Sequence, residues 1–135
     1  MDAAAIQKRI DDMFPGSMGV KLVEITQEKV LATLTVRRDL CTGGETLHGG
    51  AYMAFADTLG ALGTIVNMPP GARTTTIESK TNFMGGAPLG STVTGESTPL
   101  HRGRTTQVWT TRITNDMGKL LAVVTQTQMI LPATP

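Results

Sequence analysis

The sequence predicts an α+β fold, one antiparallel sheet curled round a single long apolar helix, and three observations predict it. Apolar residues at Tyr52, Phe55, Ala56, Leu59, Leu62, Gly63 and Val66 have the spacing of a buried helical face. On either side, short runs alternate Val, Leu, Ile and Thr, which is the pattern of strands. Turn-forming Gly, Pro and Asn separate those runs by few residues, so neighbouring strands run antiparallel.

The elements follow in order. Asp2 can cap a first helix through Phe14, with Ile6, Ile10 and Met13 on one face and Pro15-Gly16 ending it. Residues 18–27 and 29–37 read as two strands turned at Glu28. Residues 39–46, with Gly43-Gly44, form a flexible loop that leads into the long helix at Gly49. Met53, Ala54 and Ile65 widen its apolar stripe until little polar face remains, which makes the helix central. After Pro69-Pro70-Gly71 come strands over 73–84, 91–100, 104–115 and 119–131. They are divided by Gly85-Gly86-Ala87-Pro88, His101-Arg102-Gly103 and Asn115-Asp116-Met117-Gly118, the last two short enough for hairpins. Threonine occurs 22 times, mostly in these strands, where a β-branched polar residue suits a sheet face that is partly wet. No repeat, low-complexity segment or linker interrupts residues 1–135, which read as one domain.

Composition narrows the functional classes. A chain of 135 residues with 40% hydrophobic content can bury a real core. Charged residues make up 17%, below the usual quarter, so part of the surface is expected to be buried against other subunits. A net charge of +1 gives no electrostatic case for nucleic acid or membrane as partner. Cys41 is the only cysteine, which excludes an intramolecular disulfide; alone in a loop it reads as incidental. With His48 and His101 far apart, no metal-ligand spacing is present. The N-terminus lacks a signal-peptide pattern and no apolar run reaches membrane-spanning length, so a cytoplasmic protein is expected. No Gly-x-Ser-x-Gly elbow, Cys-His or Ser-His-Asp constellation or phosphate loop appears.

One carboxylate stands out. Asp57 is the only Asp, Glu, Lys or Arg between Glu45 and Arg73, and it lies within the apolar helix, where burial of a charge costs several kcal/mol unless compensated. The helix begins with Gly49 and Gly50, which let a substrate or a second backbone approach closely. The N–H groups of a first helical turn favour a developing negative charge, an oxyanion-type device. At 1.5 Å per residue, Asp57 lies about 10 to 12 Å along the axis from these glycines. A substrate touching both therefore implies a site shared between two subunits.

His48-Gly49-Gly50, followed nine positions beyond the His by the acid Asp57, resembles the hot-dog-fold acyl-CoA thioesterases, specifically the phenylacetate-degradation type. The resemblance extends over residues 18–131 through the order of the strands. It implies hydrolysis of an acyl-CoA thioester to free acid and CoA, with no cofactor beyond the CoA of the substrate, in a homodimer or a homotetramer built as a dimer of dimers. Asp57 falls at the acid that either attacks the thioester carbonyl or activates water, and Gly49 at the helix N-terminal N–H that polarises the carbonyl. His48 and Gly50 complete the motif, His48 orienting the loop or carbonyl. Thr42, fifteen before the acid, stands where the family usually has Asn or Gln; its hydroxyl reaches less far and offers one donor instead of two. Thr76 matches the Ser or Thr that assists the water, with Thr74 and Thr75 as neighbouring alternatives. Arg102-Gly103-Arg104 resembles the basic turn that meets CoA phosphates, for which arginine is suited.

Met53, Phe55, Met68, Phe83 and Met84 are the candidates to line an acyl pocket, which would accept an aryl or a medium-chain group equally. Two further classes stay open beside hydrolysis: a hot-dog hydratase or dehydratase, which uses an acid and a His for proton transfer at the α and β carbons, and a non-catalytic acyl-CoA-binding sensor, which the Thr42 departure favours.

Overall fold

The computed structural model describes residues 2–134. Asp2 caps α1 (Ala3–Ile10), accepting the Ala5 N–H, and Ile6 and Ile10 are its buried residues. The helix stops at Ile10, short of the expected Phe14. Pro15 opens a second helix, α2 (Phe14–Met18), which Gly19 closes at φ 91°. A proline lacks only an N–H that a first helical turn leaves unpaired anyway, so Pro15 starts a helix here instead of ending one. Met13 is exposed and Met18 is buried in its stead.

The strands β1 (Lys21–Ile25), β2 (Val30–Thr35), β3 (Arg73–Phe83), β4 (Thr92–Arg102), β5 (Thr106–Thr114) and β6 (Leu120–Leu131) form one sheet in the order β1-β2-β4-β5-β6-β3. Every pairing is antiparallel. The β4–β5 turn sits later than expected, because β4 carries a bulge between Pro99 and His101 and keeps pairing through Arg102. Pro99 cannot donate to the ladder, which is why the irregularity falls beside it.

The helix α3 (Gly49–Ile65) lies across the concave face of the sheet. Its buried side presents Tyr52, Phe55, Ala56, Leu59, Leu62 and Gly63 to Val93, Trp109, Ile113, Ala122 and Val124. Contact is close because glycines stand where side chains meet. A Cβ on Gly63 would lie 2.6 Å from the Trp109 ring, and one on Gly60 would run into the Gln126 amide. Gly95, on β4, makes the same room for Phe55 and Leu59.

Among the described residues, a helix face and a sheet edge stand open side by side. The helix face at Gly50, Met53, Ala54, Asp57, Ala61 and Ile65 is half-buried or exposed although it is nearly all apolar. The strand β3, eleven residues long, is an edge of the sheet beside that face, and among the described residues no strand pairs with its outer side. Among the described residues no helix is long and apolar enough to cross a membrane.

Candidate active site

The site begins with the way the sequence starts α3. His48 is the N-cap, with extended backbone, and its Nδ1 accepts the Gly50 N–H at 2.8 Å. A neutral ring that accepts at Nδ1 carries its proton on Nε2. The His48 carbonyl accepts the Ala51 and Tyr52 N–H groups at 2.9 and 3.3 Å. Of the first-turn donors expected to serve an oxyanion, the Gly50 N–H is thus already used by the cap, and the Gly49 N–H has no acceptor among the described residues. The Phe83 ring lies over Gly49, 3.3 Å from where a Cβ would stand, and meets Tyr52 edge to face at 5.9 Å.

Asp57 sits two turns further along, on the open face, half-buried. Thr76 reaches it from β3 and donates its hydroxyl to Asp57 Oδ1 at 2.6 Å. Gln126 on β6 places its Nε2 3.4 Å from the same oxygen and 3.3 Å from the Asp57 carbonyl. Both side-chain donors fall on Oδ1, so Oδ2 has no donor among the described residues. Of the three candidate threonines, Thr76 alone touches the acid: Thr75 is exposed, and Thr74 bonds Gln128 Oε1 at 2.9 Å. Gln128 in turn donates to Thr76 Oγ1 at 2.6 Å.

Sequence reasoning alone misses Gln126 and Gln128. The available signal is polar residues at inward positions of a strand whose other inward residues, Ala122, Val124 and Ile130, are buried and apolar.

The loop before the helix is anchored, contrary to the expected flexibility. Thr42 N–H donates to Thr46 O, Leu47 N–H to Ala87 O and His48 N–H to Leu40 O, each at 2.8 Å, and Leu89 N–H to Glu45 O at 2.9 Å. Glu45 turns the chain with φ 57°, a left-handed conformation costly for a residue with a Cβ. Its carboxylate bonds Arg38 at 3.0 Å. Thr42 is exposed, and its hydroxyl oxygen accepts the Gly44 N–H at 3.3 Å, so it braces its own turn and does not touch Asp57 of the same chain.

Beside His48 lies a hollow of about 280 Å³, lined by Phe14, Met18, Leu40, Cys41, Ala51 and Ala54 among others. Of the residues expected to line an acyl pocket, Phe55 is fully buried in the core, because its side chain points at Gly95, and Met68 lines a hollow at the opposite end of α3. Met53, Phe83 and Met84 are exposed.

The two arginines of the basic turn part company. Arg102 donates through Nη1 and Nη2 to the two carboxylate oxygens of Glu28 at 2.9 and 3.3 Å, and through Nη1 to the Gln27 carbonyl at 3.0 Å. Its fork closes the β1–β2 hairpin against β4 and is not open to a phosphate in this arrangement. Arg104 makes no such bond among the described residues and lines a hollow with Pro69, Pro70, Ala72 and Ile130.

A family model, the thioesterase superfamily, matches residues 44–122, from the loop before His48 to within β6. The 1,4-dihydroxy-2-naphthoyl-CoA hydrolase of Listeria monocytogenes is 26% identical over 107 residues, 79% of this chain and 86% of that protein. Among solved structures, a thioesterase from Haemophilus influenzae superposes with a TM-score of 0.94 at 22% identity, covering 100% of this chain and 94% of that one. The E. coli PaaI protein from the phenylacetic acid degradation operon does so with a TM-score of 0.86 at 21% identity, covering 98% and 93%. Both likenesses speak for the fold, and the motif and matched segment speak for the kind of enzyme. The chain belongs to the thioesterase superfamily and has its hot-dog fold.

Proposed function

We propose that this protein hydrolyses an acyl-CoA thioester to the free acid and CoA, at a site built from Gly49 of one subunit and Asp57 of a second. The carrying observation is the Asp57 carboxylate on an open, largely apolar helix face, held through Oδ1 by Thr76 with no donor on Oδ2 among the described residues. A thioester is an activated acyl group, so its hydrolysis needs a polarised carbonyl, a positioned oxygen nucleophile and little else. Gly49 N–H donates to the carbonyl oxygen as negative charge develops there. Oδ2 of Asp57 either attacks the carbonyl carbon, expelling CoA thiolate and giving a mixed anhydride that water hydrolyses, or takes the proton of a water that attacks that carbon as CoA thiolate leaves. His48 and Gly50 set the helix start so that the Gly49 N–H faces the substrate, and Phe83 packs beside it. Arg104, whose guanidinium has no partner among the described residues, is the group we assign to the CoA phosphates, and Arg102 supports the turn.

The shared site is supported by chain geometry. Gly49 and Asp57 are eight residues apart, about 12 Å along one helix, so one thioester cannot meet both within a chain. A two-fold mate laid against the open face of α3 would bring the second Asp57 to the first Gly49 and continue the sheet at the β3 edge.

Thr42 favours one competing reading, a sensor that binds acyl-CoA without turnover. Incubation with aryl and medium-chain acyl-CoAs and a free-thiol reagent separates the readings. Thiol release proportional to enzyme is the expected result. Saturable binding without thiol release would mean a sensor, and a hydrated or shifted double bond would mean a hydratase.

A further inference from the structure

We propose that Gln128 is a positioning residue for Asp57, acting through the direction in which the Thr76 hydroxyl points its proton; the inference rests on the reading of Asp57 as the reactive acid. A hydroxyl has one proton and can accept at its lone pairs. Gln128 Nε2, a donor, stands 2.6 Å from Thr76 Oγ1, so the Thr76 proton cannot be directed there. It goes to Asp57 Oδ1, also at 2.6 Å. The opposite amide orientation would draw the Thr76 proton to Gln128 and leave two lone-pair oxygens facing each other across the Thr76–Asp57 contact. Thr74 guards against that flip. Its hydroxyl lies 2.9 Å from Gln128 Oε1 and 3.0 Å from the Met129 carbonyl, and donation to Oε1 keeps the amide oxygen on the Thr74 side.

The relay runs Thr74, Gln128, Thr76, Asp57, with each donor pointing toward the acid. It is rigid at its centre, since Gln128 is fully buried on β6, where it faces Thr76 across the β3–β6 ladder. With Oδ1 taken up in this way, Oδ2 is the carboxylate oxygen without a donor among the described residues. The Gln126 contact to Oδ1 is longer, at 3.4 Å, and sets that orientation less closely.

Gln128→Met removes the amide and keeps the volume close. It leaves no orphan donor, because Thr74 retains the Met129 carbonyl and Thr76 still has an acceptor within reach in Asp57, so the variant should fold; what it loses is the Gln128 N–H that keeps the Thr76 hydroxyl from turning away from the acid. The expected result with an acyl-CoA that the wild type hydrolyses is a kcat lower by roughly tenfold with KM within about twofold, on the scale of a misoriented catalytic group. Thr76→Val should lower kcat at least as much, and adding Gln128→Met to Thr76→Val should change nothing further, as expected of residues acting through one another. Wild-type kcat in Gln128→Met, a loss confined to KM, or multiplying effects in the double variant would each overturn the assignment. The Asp57 carboxyl ¹³C resonance gives an arm that does not depend on turnover. It should move in Gln128→Met at constant pH and stay put when Gln128→Met is added to Thr76→Val. An unmoved resonance overturns the positioning role even if the wild type proved inactive on every thioester, a result that would by itself sink only the hydrolase reading.

Discussion

At Asp57 the carboxylate has one oxygen held by Thr76 and Gln126 and one without a donor among the described residues, and with Asp57 proposed as the reactive acid that asymmetry makes a specific forecast. Asp57→Asn keeps the shape and removes the charge, and kcat should fall by at least about a hundredfold, the usual loss when a general base or nucleophile is removed. The melting temperature should stay close to that of the wild type, because the amide can still accept from Thr76. Turnover within a few-fold of wild type would remove Asp57 from the reaction. Gly49 invites the complementary test. A methyl group there meets the Phe83 ring at 3.3 Å, and Phe83, half exposed, can swing away, so Gly49→Ala should fold and lose kcat by crowding the Gly49 N–H. Adding Phe83→Ala separates the causes: recovery of kcat would mean that a displaced ring was blocking the substrate, and a persistently low kcat with unchanged KM assigns the loss to the donor itself.

At the level of elements, α3 is held against the sheet by glycines that admit larger partners. Gly63→Ala would drive a Cβ to 2.6 Å from Trp109, a ring fully buried and hydrogen-bonded to Gln107 at 2.9 Å, so it cannot yield. The expected destabilisation is about 1 to 3 kcal/mol, the range for overpacked cores, measured as a lower urea midpoint at unchanged m. Tyr52 on the same helix donates its hydroxyl to the Gly85 carbonyl at 3.1 Å, and burial raises its pKa above the usual 10.0. A raised folded pKa favours the neutral phenol, so this share of stability is whole below about pH 10 and fades as pH rises through the folded value. Wild-type melting temperature should therefore fall more steeply above about pH 10 than that of Tyr52→Phe; equal slopes would locate the alkaline loss elsewhere. The helix itself was legible in the sequence because its 3.6-residue apolar period is local, and so were the hairpin marked by Asn115 to Gly118 and the β1–β2 turn. Pro15 misleads because a proline can both end one helix and start the next. The partners of Asp57 could not be read from spacing alone, for Gln126 lies 69 residues away in sequence. Gln128 reaches Thr76 across 52, a pairing that only strand order and register decide. The same holds for Arg102, whose partner Glu28 is 74 residues distant; a basic turn looks free in sequence until the hairpin that neutralises it is placed beside it.

For the whole molecule the question is whether one chain holds a complete site. Gly49 and Asp57 sit at fixed positions on one rigid helix about 12 Å apart, and no rotamer of Asp57 closes that gap. The face that carries Asp57 is apolar and uncovered, and β3 beside it offers a free edge of eleven residues, so a two-fold mate answers both the chemistry and the exposed surface. The prediction is made by mixing two defective proteins. Asp57→Asn and Gly49→Ala homodimers should each be nearly inactive, since each has a lesion in both sites. After dissociation and reassociation, a heterodimer sets the Asp57→Asn substitution of one chain opposite the Gly49→Ala substitution of the other, so both lesions gather in one site. The second site then combines an intact Gly49 with an intact Asp57. Activity per heterodimer should recover towards half that of the wild-type dimer, with half the mixed population as heterodimers if exchange is random. Subunit exchange is verified independently by native mass spectrometry of differently tagged chains. Recovery that tracks the heterodimer fraction establishes a site composed across the interface. Proven exchange without recovery would confine each site to a single chain, and the thioester would then have to be handled by Gly49 or Asp57 alone.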